Sequence, residues 1–224
     1  MAGLLPTPQS TEIFYPSSDS EPLAETSVHA DAIINTVTVL REHLKGQSAI
    51  VFVDQFLYYA QGFPRLRVAP DVMVIFNVAP GGRDNYKIWE EGQIPVVIFE
   101  MTSEGTKNQD TGFKKTLYEQ LGVLEYWLFD PKGEWIQEQL QGYRLRGEVY
   151  EPIRDGLCEP LQLRLQVEEQ LIGFYREDTG EKLLIPEELA EALKKEKLAR
   201  QQAESQVERL KEHLRSLGID PENI

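Results

Sequence analysis

The chain has 224 residues, the size of one ordinary domain with appendages, and its net charge of −14 argues against a protein that coats nucleic acid with a broad basic surface. Its one cysteine, Cys158, excludes a disulfide framework and a multi-cysteine zinc site. Because the sequence has neither a long apolar run nor a leader-like start, we expect a soluble, cytoplasmic protein without a membrane span.

The first part of the chain predicts an irregular arm, then a helix, then short strands. Residues 1–26 are rich in Pro, Ser and Thr and lack apolar periodicity. Apolar residues then recur at three- and four-residue steps between Ser27, an N-cap candidate, and Gly46, a helix stop, which predicts an amphipathic helix. Short runs of β-branched and aromatic residues predict strands at 49–53, 56–59, 72–76 and 96–101.

The following segments complete one α/β domain. Residues 81–93 are a polar connection, and residues 109–121 predict a helix that Gly122 ends. A strand is predicted at 125–130, and weaker strand patterns occur at 134–140, 143–150 and 160–165. This order predicts an α/β domain over residues 27–185, in which helices pack against a mixed β-sheet.

Residues 186–224 predict a long C-terminal helix, with Pro186 in its first turn and Gly218 at its end. Its last apolar residues step by 4, 3, 4 and 3, as in a coiled-coil seam: Ala203, Val207, Leu210, Leu214 and Leu217. Glu196 and Arg200 interrupt the seam earlier in the helix. Two interpretations therefore stay open, a homo-oligomer such as a dimer formed through this helix, and a solvated helix docked on its own domain.

Two carboxylates occupy positions next to or within apolar strands. Asp71 opens the run in APDVMVIF, and Glu100 lies inside IPVVIFEMTSE. Acids that enter from adjacent strands can bind one Mg²⁺ or Mn²⁺ and leave room for water and phosphate oxygens. Such a metal would polarise a phosphodiester and lower the pKa of a bound water, so the pair predicts a metal site for phosphodiester chemistry.

A reaction of this kind also requires a cation near the developing negative charge. The natural strand position, two residues beyond the strand acid, holds Thr102. On the predicted helix, Asp110, Lys114 and Tyr118 follow each other at four-residue steps and share one face, so Lys114 could reach the strand ends. Lys115 would point about 100° away. On spacing alone, an ordinary surface ion pair between Asp110 and Lys114 is the alternative.

These residues, in this order, resemble the Uma2 family (DUF820) of the PD-(D/E)XK nuclease superfamily. The resemblance rests on APDVMVIF, IPVVIFEMTSE, the D-x-x-x-K-x-x-x-Y pattern and GVLEYWLFDP, and spans roughly residues 27–175. The tail LRSLGIDPENI also resembles cyanobacterial members. The resemblance implies a restriction-endonuclease-like mixed sheet flanked by helices, and a Mg²⁺- or Mn²⁺-dependent endonuclease that acts on DNA.

The resemblance also implies roles for three residues. Asp71 and Glu100 match the two acids of the family motif, which hold the metal and are catalytic. Thr102 departs from the strand lysine of the superfamily, as is usual in this family, and the resemblance gives the catalytic role to Lys114 on the helix.

Four residues are accessory candidates: His29, Asp54, Ser103 and Tyr118. His29 stands near the start of the first helix, where family members often carry histidine, although a structural role is the alternative. Asp54 follows a strand and could be a further ligand or form a turn. Ser103 opens Ser103-Glu104-Gly105, where the family form is Ser-Pro-Ser/Gly. Tyr118 shares the helical face of the candidate lysine.

A second function stays open beside the nuclease. The negative charge balance, the altered turn at Ser103 and the absence of an evident base-reading surface fit a catalytically inactive member of the family. Such a protein would act as a self-associating interaction module, using the helix of residues 186–224.

Overall fold

A computed structural model describes residues 13–18, 26–218 and 220. They fall into two compact units, one ending at Leu183 and the other beginning at Leu184. The first unit contains β-sheets and helices, and the second contains one long helix, which confirms the predicted α/β class with a C-terminal helix. Most of the predicted N-terminal arm and the end of the tail lie outside the described residues, and the predicted domain boundaries stay predictions.

The helices are α1 (Ser27–His43), α2 (Ile88–Glu91), α3 (Lys115–Leu121) and α4 (Pro186–Ser216), and a π-helical turn, Gln109–Lys114, precedes α3. The strands are β1 (Ala49–Val53), β2 (Leu57–Tyr58), β3 (Arg67–Val68), β4 (Val72–Phe76), β5 (Tyr86–Lys87), β6 (Val97–Met101), β7 (Glu125–Phe129), β8 (Leu140–Arg146), β9 (Val149–Ile153), β10 (Leu157–Cys158), β11 (Leu163–Glu168), β12 (Leu171–Arg176) and β13 (Lys182–Leu183).

The main sheet has six strands in the order β1-β4-β6-β7-β8-β9. Within it β6 and β7 pair in parallel, and the other neighbours are antiparallel. A parallel pair needs a crossover connection, and here the crossover carries the π-helical turn and α3. Strands β10 to β13 form a second, antiparallel sheet, while β3, β2 and β5 form a small third one.

The two faces of the main sheet are both covered, so its central strands are buried throughout. Helix α1 packs against β1, β4 and β6 on one side. On the other side Leu117 and Tyr118 of α3 join a core with Met73, Ile98 and Tyr126. Because successive residues of a strand point to opposite faces, Glu100 points to the same side as Ile98, toward α3.

Several predicted elements differ in detail. Thr26, rather than Ser27, caps α1, since its side chain accepts a hydrogen bond from the His29 N–H. The predicted strand at 56–59 is reduced to β2 in the small sheet, and residues 134–139 form a loop rather than a strand. The polar connection 81–93 contains β5 and α2.

Helix α4 has 31 residues, and three apolar side chains of its predicted seam, Val207, Leu210 and Leu217, are exposed. Neither this helix nor any other in the described part of the chain has the length and apolar character required to cross a membrane. The coiled coil and the homo-oligomer stay predictions.

Candidate active site

Asp71 and Glu100 meet where β4 and β6 lie side by side. Val72 pairs with Phe99, so one further step along the antiparallel register puts Asp71 opposite Glu100. The Asp71 N–H lies 3.5 Å from Glu100 Oε2, and the Met101 N–H donates to Asp71 Oδ2 at 2.5 Å. The backbone of β6 therefore holds the Asp71 carboxylate, and the backbone just before β4 contacts the Glu100 carboxylate.

Glu100 is 1% exposed and has two donors that compensate its burial. The Tyr118 hydroxyl donates to Oε1 at 2.8 Å, and the Lys114 ammonium donates to Oε2 at 2.8 Å. A buried carboxylate is tolerated when it is paired and hydrogen-bonded. The cation that directly contacts Glu100 in this structure is thus a lysine.

Lys114 contacts a second buried acid as well. Its Nζ lies 3.1 Å from Asp110 Oδ1, and the Lys114 side chain is 12% exposed. Asp110 Oδ1 has no hydrogen-bond partner in the described part of the chain, so this contact is an ion pair. The ion pair between Asp110 and Lys114 therefore forms, as their four-residue spacing allows, but it lies inside the protein and not on its surface. Lys115 points elsewhere, with its Nζ 3.6 Å from the centre of the Tyr143 ring.

The segment that carries Lys114 is π-helical, where the sequence predicted a continuous α-helix over 109–121. The Tyr126 hydroxyl donates to the backbone carbonyl of Asp110 at 3.0 Å and ties this turn to the sheet. Single π-helical turns within helices occur frequently at functional sites. The irregular turn and α3 together bring Lys114 and Tyr118 to the same carboxylate.

The cluster holds more negative than positive charge when its acids are ionised. Burial raises the pKa of Asp71 well above its usual value, and the nearby Glu100 carboxylate raises it further. Burial also raises the pKa of Glu100, against the opposing effect of Lys114. Burial acts to lower the pKa of Lys114, but the three surrounding acids outweigh it and raise that pKa. One ammonium thus faces three carboxyl groups, and a divalent cation would balance the remainder.

The accessory candidates occupy different positions around this cluster. His29 is buried, and its Nε2 lies 3.9 Å from Asp71 Oδ2. Ser103 forms a turn with Thr106, its N–H donating to Thr106 Oγ1 at 3.0 Å. Asp54 is exposed and has a φ of 46°, and its N–H donates to the Asp71 carbonyl at 3.1 Å. The turn interpretation accounts for this geometry at Asp54.

The model of the Uma2 family, described as "Putative restriction endonuclease", matches residues 20–175. The chain belongs to the Uma2 family. A crystal structure described as "a putative nuclease belonging to DUF820 from Anabaena variabilis ATCC 29413" is similar, with 20% identity and a TM-score of 0.44. The similarity covers 61% of this chain and 73% of that one. A search of curated proteins gave no match.

The donor groups of this Uma2 site fit a hard divalent cation. Asp71 Oδ1 accepts no hydrogen bond within residues 13–18, 26–218 and 220, and the Asp71 side chain is 17% exposed. Carboxylate oxygens are the ligands that Mg²⁺ prefers, usually with several waters. In the same ranges no cluster of three or more His, Cys, Asp or Glu side chains could hold a metal. Asp71 and Glu100 would therefore leave the other positions to water and substrate.

A cleft of about 440 Å³ is lined by His29, whose Nε2 lies 3.9 Å from Asp71 Oδ2, and by residues that the sequence did not single out. Asp71 and Glu100 themselves do not line it. His29, Thr102 and Ser103 line it together with Lys132 and Trp135 of the loop between β7 and β8. In the sequence, the turn-forming pair Asp130-Pro131 directly after β7 indicates a loop at this position. A second cleft, of about 530 Å³, lies along the edge strand β1 and contains none of the acids.

Proposed function

We propose that this Uma2 chain is a metal-dependent endonuclease that hydrolyses phosphodiester bonds of DNA. Asp71 and Glu100 are the ligands of Mg²⁺ or Mn²⁺, and Lys114 is the catalytic cation. The observation that supports this best is the buried contact of Lys114 with Glu100, at 2.8 Å, beside an Asp71 carboxyl that faces Glu100 across two strands.

The metal, when bound, supplies Lewis-acid polarisation and lowers the pKa of its water. The protein residues supply position and charge. Met101 fixes Asp71 through its N–H, and Tyr118 fixes Glu100 through its hydroxyl. Lys114 keeps a positive charge in a site that excludes most water, where it stabilises developing negative charge more strongly than it could in bulk solvent.

A purely structural role does not account well for this cluster. Two like charges buried side by side lower the stability of the fold, and apolar residues of similar size would avoid that cost. Titratable groups with strongly perturbed pKa values in a cleft are typical of functional sites. A cleft lined by Thr102 and His29 lies near the cluster, and His29 Nε2 is 3.9 Å from Asp71 Oδ2.

The test begins with metal binding, because it needs no knowledge of the substrate sequence. We expect calorimetric titration with Mn²⁺ or Mg²⁺ to show a bound ion in the wild type and none in Glu100→Gln, an isosteric change. Glu138→Gln, which alters an exposed acid on the loop before β8, is the matched control and should bind like the wild type.

Cleavage is then measured on the same three proteins with plasmid and single-stranded circular DNA. Glu100→Gln should fall to background while its unfolding transition remains cooperative, and Glu138→Gln should cleave normally. A Glu100→Gln protein that cleaves at the wild-type rate would refute the assignment of this acid.

We also propose that α4 supports a homo-oligomer. The exposed residues Val207, Leu210 and Leu217 have seam spacing, and cleavage of two DNA strands often uses two active sites. Light scattering over a range of protein concentrations should then show a mass that rises toward a dimer, and Leu210→Lys should shift this rise to higher concentrations. Monomer mass at every concentration would exclude this assembly.

A further inference from the structure

The loop between β7 and β8 brings an aromatic ring and a lysine to the cleft. Trp135 and Lys132 both line it, and Trp135 is half-buried. The Lys107 Nζ lies 5.0 Å from the centre of the Trp135 ring, which is a cation–π distance. Two ammonium groups therefore accompany one indole at this end of the cleft.

The position of Trp135 is set by a buried acid. Asp130 is 0% exposed and ends β7. Its Oδ1 accepts the N–H groups of Lys132 at 3.0 Å and Gly133 at 2.9 Å, and its Oδ2 accepts those of Trp135 at 2.5 Å and Ile136 at 3.3 Å. Four backbone hydrogen bonds to one carboxylate tie this part of the loop to a buried side chain and restrict its backbone. A binding group held in this way loses little conformational freedom when a ligand binds.

The inner wall of the cleft contains an unsatisfied hydroxyl. Thr102 is 1% exposed and lines the cleft, and its Oγ1 has no hydrogen-bond partner in the described part of the chain. A buried polar group without a partner destabilises the fold, so its presence calls for an explanation, and a ligand group that pairs with it is one. Thr102 stands two residues beyond Glu100 in the sequence and lines the same cleft as Lys132 and Trp135.

The size of the cleft limits what it can accept. At about 440 Å³ it has the volume of a small-ligand pocket, which suits one nucleotide and not a duplex. A base within a duplex has both faces covered by its neighbours, so stacking on a side chain requires a base that is unstacked. Aromatic platforms flanked by basic residues are typical of proteins that bind single-stranded nucleic acid.

We propose that this cleft binds one unpaired nucleotide of single-stranded DNA beside the bond to be cleaved. Its base stacks on Trp135, and its phosphates contact Lys107, Lys132 and the Thr102 hydroxyl. The assignment rests on the proposed nuclease function and specifies its substrate as DNA with an unpaired segment. Glu104 and Lys132 both line the cleft, and Lys107, which contacts the Trp135 ring, adds a second positive charge beside it.

Fluorescence anisotropy with labelled 12-nucleotide oligothymidylate, and with a 12-base-pair duplex, tests this assignment. EDTA is present throughout, so that no cleavage occurs. Trp135→Leu should weaken single-strand binding about 5- to 160-fold, the range observed for loss of one stacked base, and leave weak duplex binding unchanged. Trp135→Phe keeps an aromatic face and should retain most of the affinity. Trp135→Phe can also be measured in place of Trp135→Leu if the leucine variant does not fold.

The lysines are tested through the salt dependence of binding. Lys132→Ala should reduce the slope of log affinity against log salt by about 0.7, since one phosphate contact to a single strand is lost. Lys194→Ala, an exposed lysine on α4, is the matched control and should leave the slope unchanged. An unchanged slope in Lys132→Ala would refute its phosphate contact.

The outcomes separate this inference from the proposed function. A wild type that does not bind oligothymidylate, or a Trp135→Leu protein that binds it normally, overturns the nucleotide cleft even if plasmid cleavage is observed. Trp135-dependent binding without cleavage by the metal-loaded wild type supports the cleft and refutes the nuclease. Equal losses for single strands and duplex would refute the stacked, unpaired base.

Discussion

Asp71→Asn is expected to abolish DNA cleavage and, without metal, to make the protein more stable than the wild type at neutral pH. Asparagine keeps the oxygen that accepts the Met101 N–H but removes the charge that faces Glu100. The wild-type acid is costly because burial and the Glu100 carboxylate both oppose its ionisation. If Asp71 is a metal ligand, as proposed, the site sacrifices stability for function, a trade-off common in active sites.

The free energy of unfolding that Asp71→Asn gains over the wild type should increase with pH. Since the pKa of Asp71 is raised in the folded protein, the folded state binds this proton more tightly than the unfolded chain does. The resulting stabilisation is present below the ordinary pKa of 3.8 and is lost as the pH rises through the raised pKa. Wild type and Asp71→Asn should therefore be similar near pH 4 and diverge toward pH 7. Each unit of pKa shift corresponds to about 1.4 kcal/mol.

Urea unfolding at pH 4 and pH 7, with and without Mn²⁺, measures this effect. At an ion concentration 100 times the dissociation constant the wild type should gain about 2.7 kcal/mol, while Asp71→Asn should gain none. The metal would then reduce or reverse the difference in unfolding free energy between the wild type and Asp71→Asn. Asp31→Asn, at an exposed position of α1, is the control and should follow the wild type. A variant less stable than the wild type at every pH would show that the acid is structural.

The meeting of the two strand acids could be predicted because it depends on local pattern. Asp71 and Glu100 stand beside or within apolar runs whose two-residue alternation defines the faces of a sheet, and the register of β4 and β6 then brings them together. Lys114 and Tyr118 could be placed on one face because they are four residues apart. The resemblance to Uma2 added the roles of these residues, which the spacing alone left open.

The sequence did not predict the loop at Trp135, the π-helical turn or the shortest strands. These features depend on contacts between residues far apart in the sequence, or they leave no periodic pattern. Trp135 and Ile136 resemble strand residues, yet the Asp130 carboxylate binds their N–H groups and those of the preceding turn, which keeps them out of a ladder. The π-helical turn is tied to the sheet by the Tyr126 hydroxyl, a partner 16 residues beyond Asp110. Strands of two residues, such as β2, are too short for any alternation to be recognised.

Lys114→Met is expected to lose cleavage and also to destabilise the protein at neutral pH by about 3–5 kcal/mol, the usual cost of removing one partner of a buried ion pair. Methionine fills a similar volume but leaves Glu100 and Asp110 without their cation. The loss should shrink at acid pH, because the pKa of Glu100 is raised by burial and its charge is neutralised as the pH falls. Lys115→Met is the matched control, because its ammonium contacts only the Tyr143 ring in the described structure, and it should cost about 1 kcal/mol or less and leave cleavage intact.

The double variant Lys114→Met/Glu100→Gln separates the structural from the catalytic role of the lysine. Without the Glu100 charge, the loss of the Lys114 ammonium leaves one buried carboxylate fewer without a cation. Urea unfolding at pH 7 should therefore show that the double variant regains part of the stability lost in Lys114→Met. Cleavage should stay at background, because both the metal ligand and the cation are then gone. A Lys114→Met protein that is destabilised as expected but cleaves DNA at the wild-type rate would reduce Lys114 to a structural counter-ion, and the positive charge for the transition state would have to come from another residue.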